Sequence, residues 1–324
     1  MTSIIPTIGP QLKNKNNLKY LFKFTSCIRL NGSHNTLDWH KRISKKIKKI
    51  NPKSIILLDI PGAKPRTANI FKVKIKKNEE IVFFYKIKPK LSKSLKYLEI
   101  TNPIPSLRNK KNFSINDGEF QFKFTKIRKN YFVGKSNSNI IILPKKGINI
   151  PNSIYDNNLQ ETKILNFIDN AINYGIKFDS IGVSFVQNEK ILKKIKIKYP
   201  KYLIVSKIEN TEGVKNADKI IKNSDGIMID RGDLAAEIAD HNLYKQINRI
   251  SYLSKKYSKF LIMATHNLIS MKTRMVPTKS EVFALGLSIT ISNQIMLSDE
   301  TAVYKNWKNI IEWLNAFLNN SKNK

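Results

Sequence analysis

The sequence predicts an α/β fold, a (β/α)₈ TIM barrel that carries an inserted small β-rich lid domain. Short apolar runs rich in Ile, Val and Leu alternate with longer segments whose apolar residues recur at helical spacing. There are eight such runs, and eight parallel strands joined by crossover helices close a barrel of this kind. An open doubly wound sheet is the alternative that the same alternation allows.

The eight predicted strands are short, and helical patterns separate them. The strands are TSIIPTI (2–8), CIRLN (27–31), SIILLDI (54–60), SIGVSF (180–185), YLIVSKIE (202–209), DGIMID (225–230), KFLIMAT (259–265) and NQIMLS (293–298). The expected helices cover about 11–23, 36–50, 159–174, 188–198, 211–223, 241–256, 279–289 and 305–319.

The alternation is interrupted once, after the third run. From Ala68 to Lys146 the chain consists of alternating or β-rich stretches, with the turn pair Asp117-Gly118 among them. We therefore predict a barrel formed by residues 1–67 and 147–324 and an inserted domain formed by residues 68–146. An insertion after the third strand emerges at the mouth of the barrel, where it can act as a lid.

Composition narrows the functional classes. The formal net charge is +34, but 50 Lys against 8 Arg are spread over almost every segment. That spread is typical of a lysine-rich codon bias with a solvated basic surface, whereas nucleic-acid sites concentrate Arg and aromatic residues locally. We therefore expect no nucleic-acid partner, although a basic surface attracts phosphorylated substrates.

The sequence also predicts a cytoplasmic protein that does not enter a membrane. No apolar run approaches the roughly 20 residues that a membrane helix needs. The N-terminal stretch MTSIIPTIGPQLK lacks the features of a signal peptide, and a single cysteine forms no internal disulfide.

Polar side chains collect where the predicted strands end, which is where this fold builds its active sites. Residues two apart in a strand share a face, so Arg29 should point with Asn31, and Lys207 with Glu209, into the barrel mouth. The other residues at or just after the predicted strand ends that we single out are Thr7, Gly9, Ser33, His34, Asp59, Ser184, Arg231, Gly232, Asp233, Thr265, His266, Ser298 and Glu300.

These residue types favour phosphoryl or enolate chemistry. Glu209 and Asp233 have no His or Cys ligands nearby and suit a hard ion such as Mg²⁺. A lysine beside them can neutralise a transferring phosphoryl group, and an arginine can bind phosphate through two hydrogen bonds. If Arg231-Gly232-Asp233 opens a helix, its backbone N–H groups can bind an anionic substrate group.

At these residues the chain resembles the pyruvate kinase family. The matching motifs occur in the family's order: TIGP, RLNGSH, LLDIPGAKPRT, INDG, LPKKGINIP, SKIENTEGV, SDGIMIDRGDLAAEI, MATHNLISM, PTKSE and IMLSDETA. The resemblance extends to about residue 303 and implies a barrel with a β-rich lid. It also implies transfer of the phosphoryl group of phosphoenolpyruvate to ADP with Mg²⁺, for which Mn²⁺ can substitute.

The resemblance implies a role for each matching position. Arg29, Lys207 and Thr265 are the implied catalytic residues, and Ser184, Gly232, Asp233 and Thr265 bind the substrate. His34, Lys146 and Arg29 contact the nucleotide, ADP or ATP. Glu209 and Asp233 hold Mg²⁺, whereas Asn31, Ser33 and Asp59 match the family's monovalent-cation site. The sequence leaves open whether the chain forms a homo-oligomer.

One departure concerns the potassium that many family members require. Lys64 stands where potassium-dependent members have glutamate, and members with lysine there work without the ion. We therefore expect the Lys64 ammonium to replace K⁺ beside Asn31, Ser33 and Asp59, so that K⁺ is not required.

Other departures lie near the mouth. The family pattern has other residues at Gln187, Asp230, His266, Asn267 and Asp299 (Arg, Ala, Gln, Met and Gly, respectively). The chain also ends one helix after IMLSDETA, so the C-terminal domain that carries allosteric effectors in many members is expected to be absent. The departures leave two alternatives to the kinase open: a Mg²⁺-enolate lyase or related phosphotransferase acting on a different phosphorylated acid, and a non-catalytic binding protein.

Overall fold

The computed structural model describes residues 2–321. Its strands, in chain order, are β1 (Ser3–Pro6), β2 (Cys27–Asn31), β3 (Ile55–Ile60), β4 (Val73–Ile75), β5 (Glu80–Phe84), β6 (Lys96–Glu99), β7 (Asn112–Ile115), β8 (Phe120–Ile127), β9 (Tyr131–Ser136), β10 (Ile140–Ile142), β11 (Ile148–Asn149), β12 (Ser180–Val183), β13 (Leu203–Ile208), β14 (Gly226–Asp230), β15 (Phe260–Ala264) and β16 (Gln294–Leu297).

At least one helix lies between each barrel strand and the next along the chain. The helices are α1 (Lys15–Leu21), α2 (Leu37–Ile50), α3 (Asn157–Asn173), α4 (Lys190–Lys198), α5 (Thr211–Lys215), α6 (Ala217–Lys222), α7 (Arg231–Ile238), α8 (Asp240–Lys256), α9 (Lys279–Ile291), α10 (Asp299–Ala302) and α11 (Trp307–Asn320). None of the helices between residues 2 and 321 is long and apolar enough to cross a membrane.

Eight parallel strands form the barrel, in the order β1-β16-β15-β14-β13-β12-β3-β2. A parallel bridge between Thr7 and Arg29 joins the two ends of this order, with the Ile8 N–H donating to the Arg29 carbonyl at 2.9 Å. The sheet is therefore nearly closed. Each of the eight predicted runs contains one of these strands, which confirms the barrel.

Two apolar layers hold the barrel together. Alternate strand residues point inwards, and seven of them form the interior cluster: Ile5, Leu57, Val205, Met228, Ile262, Ala264 and Met296. Their neighbours point outwards into a larger core shared with the helices; Ile56 and Leu58, on either side of Leu57, are fully buried there. Because both faces of a parallel sheet are covered, the strands read as continuous apolar runs.

The helix boundaries differ from the expectation in three places. The first helix is split into a 3₁₀ turn, Pro10–Leu12, and α1, because the Asn14 side chain caps α1 by accepting the Asn17 N–H at 2.8 Å. The segment 211–223 forms two helices, α5 and α6, that meet at Asn216. Two short helices lie outside the expected ranges: α7 begins directly after β14, and α10 begins one residue after β16. Both are too short to give a clear periodic signal.

The interruption after β3 forms a sheet of its own, in the order β11-β7-β8-β9-β5-β6, beside the pair β10-β4. Its core contains four fully buried phenylalanines, of which Phe83 stacks on Phe132 at 5.0 Å and Phe113 on Phe122 at 4.9 Å between ring centroids. The chain enters and leaves by adjacent segments, since the Thr67 N–H donates to the Lys146 carbonyl at 2.8 Å. The division at residues 68 and 146 stays a prediction; β11, which pairs with β7, lies just beyond it.

Candidate active site

The carboxyl ends of neighbouring barrel strands bring five polar side chains into one buried layer. Asp59, on β3, lies at its centre. Its Oδ2 accepts hydrogen bonds from Arg29 Nη2 at 2.6 Å, from Arg29 Nε at 2.9 Å and from Lys207 Nζ at 3.1 Å. Its Oδ1 accepts the Ser184 hydroxyl at 3.1 Å, and Arg29 Nη1 donates to Thr7 Oγ1 at 3.0 Å. The strand order β2, β3, β12, β13 accounts for this meeting.

Burial and ion pairing have opposite effects on the charges in this layer. Burial alone would raise the pKa of Asp59, but Lys207 and Arg29 hold that pKa below its ordinary value. Burial alone would lower the pKa of Lys207, but Asp59 and Glu209 raise it above its ordinary value. The Lys207 ammonium is therefore held in its charged form at the barrel mouth.

Glu209 is fully buried directly after β13. Its Oε2 accepts the Phe185 N–H at 2.7 Å, whereas its Oε1 lies 2.8 Å from Lys207 Nζ without a properly oriented hydrogen bond. Burial raises the pKa of Glu209 to about 7, against the opposing effect of Lys207. An oxygen in this position is suited to a further cation.

Three carboxylates meet at this point. One oxygen from each of Glu209, Asp230 and Asp233 lies within 4.8 Å of the other two, and all three residues are buried. Asp230 ends β14 and Asp233 lies in the first turn of α7, which starts there. An all-oxygen set with a buried, unbonded carboxylate oxygen fits a hard divalent ion such as Mg²⁺ or Mn²⁺.

Asp233 also forms a buried ion pair with Lys64, whose Nζ donates to Asp233 Oδ1 and, at 2.9 Å, to Asn149 Oδ1. Burial alone would raise the pKa of Asp233, but Lys64 lowers it to about 2. The ammonium also lies 3.9 Å from Asp117 Oδ1 and 5.3 Å from the centroid of the Phe185 ring.

These contacts differ from the position expected for Lys64. Among the residues that the structure describes, its polar partners do not include Asn31, Ser33 or Asp59. The loop that follows β3 directs the side chain towards α7, where Asp233 compensates its buried charge, and Asn149 on β11 accepts a hydrogen bond from it. Lys64 therefore lies beside a candidate ligand of the divalent ion and is not in the cluster that matches the monovalent-cation site.

The loop after β2 has mainly local contacts. Asn31 Oδ1 accepts the Ser33 N–H at 3.0 Å, and the His34 N–H donates to the Asn31 carbonyl at 3.2 Å. The His34 side chain is exposed.

Lys146, where the chain leaves the inserted sheet, is half-buried. Its backbone is fixed, because its N–H donates to Thr67 Oγ1 at 3.0 Å. Between residues 2 and 321 we find no polar contact of the His34 and Lys146 side chains with each other.

Thr265 follows β15 in a left-handed backbone conformation with a φ of 57°. Its hydroxyl lies 2.9 Å from Asp230 Oδ1 and 2.8 Å from the Ala264 carbonyl, and it accepts the Gly232 N–H at 3.0 Å. The Asp233 N–H donates to Asp230 Oδ1 at 3.4 Å. The N–H groups of Gly232 and Asp233, which we expected to bind a substrate anion, thus donate to protein oxygens in this structure.

The inserted sheet reaches this end of the barrel through its Asp117-Gly118 turn. A Cβ atom on Gly232 would lie 3.3 Å from the Asp117 Cβ and 3.4 Å from His266 Cε1, and one on Gly118 would lie 3.5 Å from the Ala236 Cβ. The turn therefore packs against α7, so the inserted sheet covers part of the barrel mouth.

Sequence reasoning missed a group of buried residues behind Asp233. Asn149 Nδ2 donates to Asp233 Oδ1 at 3.2 Å and to Glu237 Oε1 at 3.3 Å, and the Tyr155 hydroxyl donates to the same Glu237 oxygen at 3.2 Å. Glu237 is four residues after Asp233, so the spacing of a helix could have placed it on the same face. Asn149 lies within the LPKKGINIP motif, which gave it no role, and no sequence signal pointed to Tyr155.

Comparison with known proteins agrees with this geometry. The model of the pyruvate kinase barrel domain matches residues 1–307, nearly all of the chain. The chain belongs to the pyruvate kinase family.

Several relatives named pyruvate kinase are similar along the same length. Those from Thermococcus litoralis and Methanocaldococcus jannaschii are each 30% identical to the chain, and the alignments cover 94% of it and 66% of each relative. The one from Buchnera aphidicola subsp. Schizaphis graminum is 29% identical over 93% of the chain and 66% of the relative. The chain thus spans about two thirds of the length of these pyruvate kinases.

Two departures from the pyruvate kinase pattern have structural contacts. Asn267 Oδ1 accepts a hydrogen bond from Arg231 Nη2 at 2.7 Å, and its Nδ2 donates to the Met296 carbonyl at 2.7 Å. Gln187 exchanges hydrogen bonds with the backbone of Tyr155 at 2.8 and 2.9 Å. Both side chains therefore fix loops beside the site.

Proposed function

We propose that this chain transfers the phosphoryl group of phosphoenolpyruvate to ADP and so forms pyruvate and ATP. The observation that carries the proposal is the buried arrangement of Arg29, Asp59, Lys207 and Glu209 at the barrel mouth, in a chain of the pyruvate kinase family. In this reaction the bond from phosphorus to the enol oxygen breaks and a bond to a β-phosphate oxygen of ADP forms. The resulting enolate takes a proton at its terminal carbon.

Two cations supply the electrostatic part of the reaction in this proposal. Lys207 is held by Asp59 and Glu209, so its ammonium is already oriented before a substrate binds. It stabilises the charge on the transferring phosphoryl group, and Arg29 contacts the same group. Because neighbouring carboxylates fix both cations, little reorganisation is needed during transfer.

Substrate binding and proton transfer are assigned to the loops after β12, β14 and β15. Ser184 and the backbone of Gly232 and Asp233 bind the substrate, whose carboxylate must compete with Thr265 and Asp230 for those N–H groups. Thr265 lies near the carbon that takes up the proton. The inserted sheet acts as the lid and brings Lys146 to the nucleotide, with His34 and Arg29 as the other nucleotide contacts.

Glu209 and Asp233 would hold a divalent ion, Mg²⁺ or Mn²⁺, which supplies positive charge to the substrate oxygens when bound. We further propose that K⁺ is not required, and the support is the position of Lys64. Its side chain forms a buried ion pair with Asp233 and so brings a protein cation to the barrel mouth. Asn31, Ser33 and Asp59 remain the proposed monovalent-cation position of the family pattern. Cytoplasmic location and a homo-oligomer stay predictions of the sequence analysis.

The alternative of a lyase or a transferase for another phosphorylated acid rests on His266, Asn267 and Asp299. The Asn267 side chain is buried and hydrogen-bonded to Arg231 and to the Met296 carbonyl on β16. These contacts are structural and do not support a different substrate. His266 lies at the edge of the mouth beside Gly232. The third possibility, a non-catalytic protein, has no observation in its favour, since the buried charged layer is intact.

A coupled assay with lactate dehydrogenase tests the proposal. We expect the purified chain to form pyruvate only when phosphoenolpyruvate, ADP and Mg²⁺ are all present. Glu209→Gln should remove most of this activity, whereas Asp240→Asn, a change of an exposed acid in the first turn of α8, should not. Pyruvate formation without ADP would favour another chemistry, and no turnover of any combination would favour a binding protein.

A further inference from the structure

Asp230 is a carboxylate of the barrel mouth at a position where the pyruvate kinase pattern has alanine. It ends β14 and precedes α7, and its residue is 8% exposed. One of its oxygens lies within 4.8 Å of an oxygen of both Glu209 and Asp233, the two proposed ligands of the divalent ion. This chain therefore has one carboxylate more at that point than the family pattern supplies.

The three carboxylates differ in their cation partners. Glu209 pairs with Lys207 at 2.8 Å, and Asp233 pairs with Lys64. Among residues 2–321, Asp230 has no lysine or arginine nitrogen within the 4.0 Å of an ion pair. Its Oδ1 accepts the Thr265 hydroxyl and the Asp233 N–H, and its Oδ2 has no hydrogen-bond donor in the described chain. This oxygen is not sealed inside the protein, because it is not among the fully buried atoms that lack a partner, so it is free to bind a cation at the barrel mouth.

Lys64 explains why an additional carboxylate would be useful. Its Nζ donates to Asp233 Oδ1, so a protein cation already partly neutralises one of the two proposed metal ligands. A lysine close to a metal site repels a divalent ion and lowers its affinity. A further carboxylate within the same cluster restores the lost negative charge, because the affinity of oxygen-ligand sites rises with the number of charged ligands.

We propose that Asp230 is a third carboxylate ligand of the divalent-metal site and that it compensates for Lys64. The inference rests on the proposed function, because it takes the metal site at Glu209 and Asp233 from there. Metal binding by Asp230 goes beyond the family pattern, which has alanine at this position, and beyond the capping of α7. The free oxygen, Oδ2, is the atom that binds the ion, while Oδ1 keeps its contacts with Thr265 and α7.

A helix cap is the competing explanation for Asp230. Its side chain accepts the Asp233 N–H at 3.4 Å, which is a weak version of the usual N-cap hydrogen bond. Asparagine caps helices about as well as aspartate. Asp230→Asn therefore keeps the cap and the acceptor for Thr265 but removes the charge, so the two explanations predict different results for this one variant.

The test measures how tightly the purified chain binds Mn²⁺ in the absence of substrates. Free Mn²⁺ is quantified by its electron paramagnetic resonance signal. Asp230→Asn should weaken Mn²⁺ binding by about tenfold or more, and Asp240→Asn, which removes an exposed carboxylate ten positions away, should leave it unchanged. Equal binding by Asp230→Asn and the unmodified chain, with a folded far-ultraviolet spectrum in both, would overturn the proposal.

Two further variants separate this inference from the proposed function. Glu209→Gln should also weaken Mn²⁺ binding; if it does and Asp230→Asn does not, the proposed metal site stands and the role of Asp230 is wrong. If neither variant changes binding, the metal site itself is misplaced. Lys64→Met should tighten Mn²⁺ binding, and adding Asp230→Asn to it should return the affinity towards that of the unmodified chain. No tightening in Lys64→Met would overturn the compensation.

Discussion

Lys64 and Asp233 form a buried ion pair between the loop that leads into the inserted sheet and the first turn of α7. Asn149, on the strand by which the chain leaves that sheet, bonds to both partners. The two connections of the inserted sheet are thus tied to one carboxylate of the barrel mouth. The position of the sheet and the charge at the proposed metal site are therefore linked.

The first prediction concerns the acid stability that this pair provides. Lys64 lowers the pKa of Asp233 to about 2 in the folded chain, so the pair stabilises the fold above the unfolded pKa near 4 and loses this effect as the pH falls towards 2. In metal-free buffer, Lys64→Met should lower the free energy of unfolding by roughly 1–3 kcal/mol at pH 6. Urea titrations should show that the difference in unfolding free energy between the variant and the unmodified chain becomes smaller below about pH 4.

A difference in unfolding free energy that does not change with pH would show that it does not come from the ion pair with Asp233. Lys215→Met, at an exposed ion pair, is the control.

The second prediction is that the unmodified chain works without potassium. Activity in a buffer with an organic counterion should equal activity in K⁺, because the Lys64 side chain adds a cation to the barrel mouth from another position, beside Asp233. Lys64→Glu puts two carboxylates side by side, so its activity should fall and be partly restored by K⁺, measured as turnover at increasing K⁺ concentration. Strong activation of the unmodified chain by K⁺ would show that Lys64 does not have this role.

The third prediction concerns Glu237, whose ionisation lowers the stability of the fold as the pH rises through the neutral range. Burial raises its pKa to about 8, so the folded chain binds a proton that the unfolded chain has released, and stability falls as the pH rises from about 4.5 to about 8. Glu237→Gln removes this dependence and keeps a partner for Asn149 and Tyr155. In metal-free buffer the variant should gain roughly 3–4 kcal/mol of unfolding free energy relative to the unmodified chain between pH 5 and pH 8. A constant difference over this range would show that Glu237 does not titrate as described.

The barrel and its charged layer could be predicted from the sequence, whereas the surroundings of Asp233 could not. Strand periodicity places Lys207 and Glu209 on one face, and the structure has them 2.8 Å apart. The partner of Lys64 depends on the direction of an irregular loop, which no periodicity fixes. Asn149 comes from the far side of the inserted sheet, so its contact with Asp233 depends on how that sheet returns to the barrel.

The fourth prediction tests the role of Lys207. Lys207→Met should lower turnover by roughly 10²–10³-fold, the scale for removing one preorganised charge from an active site. Because Lys207 pairs with two buried carboxylates, the variant should also lose stability, and its turnover is measured well below its melting temperature. Lys207→Arg keeps the charge and should be the more stable of the two. A loss of less than about tenfold in Lys207→Met would show that the role is misassigned.

The reaction itself can be followed directly by ³¹P nuclear magnetic resonance of phosphoenolpyruvate, ADP and Mg²⁺ mixed with the purified chain. We expect the phosphoenolpyruvate signal to decrease at the rate at which the γ-phosphate signal of ATP appears, with no inorganic phosphate formed, and expect Glu209→Gln to abolish both changes. Release of inorganic phosphate, or loss of phosphoenolpyruvate without ATP, would contradict phosphoryl transfer to ADP at this site.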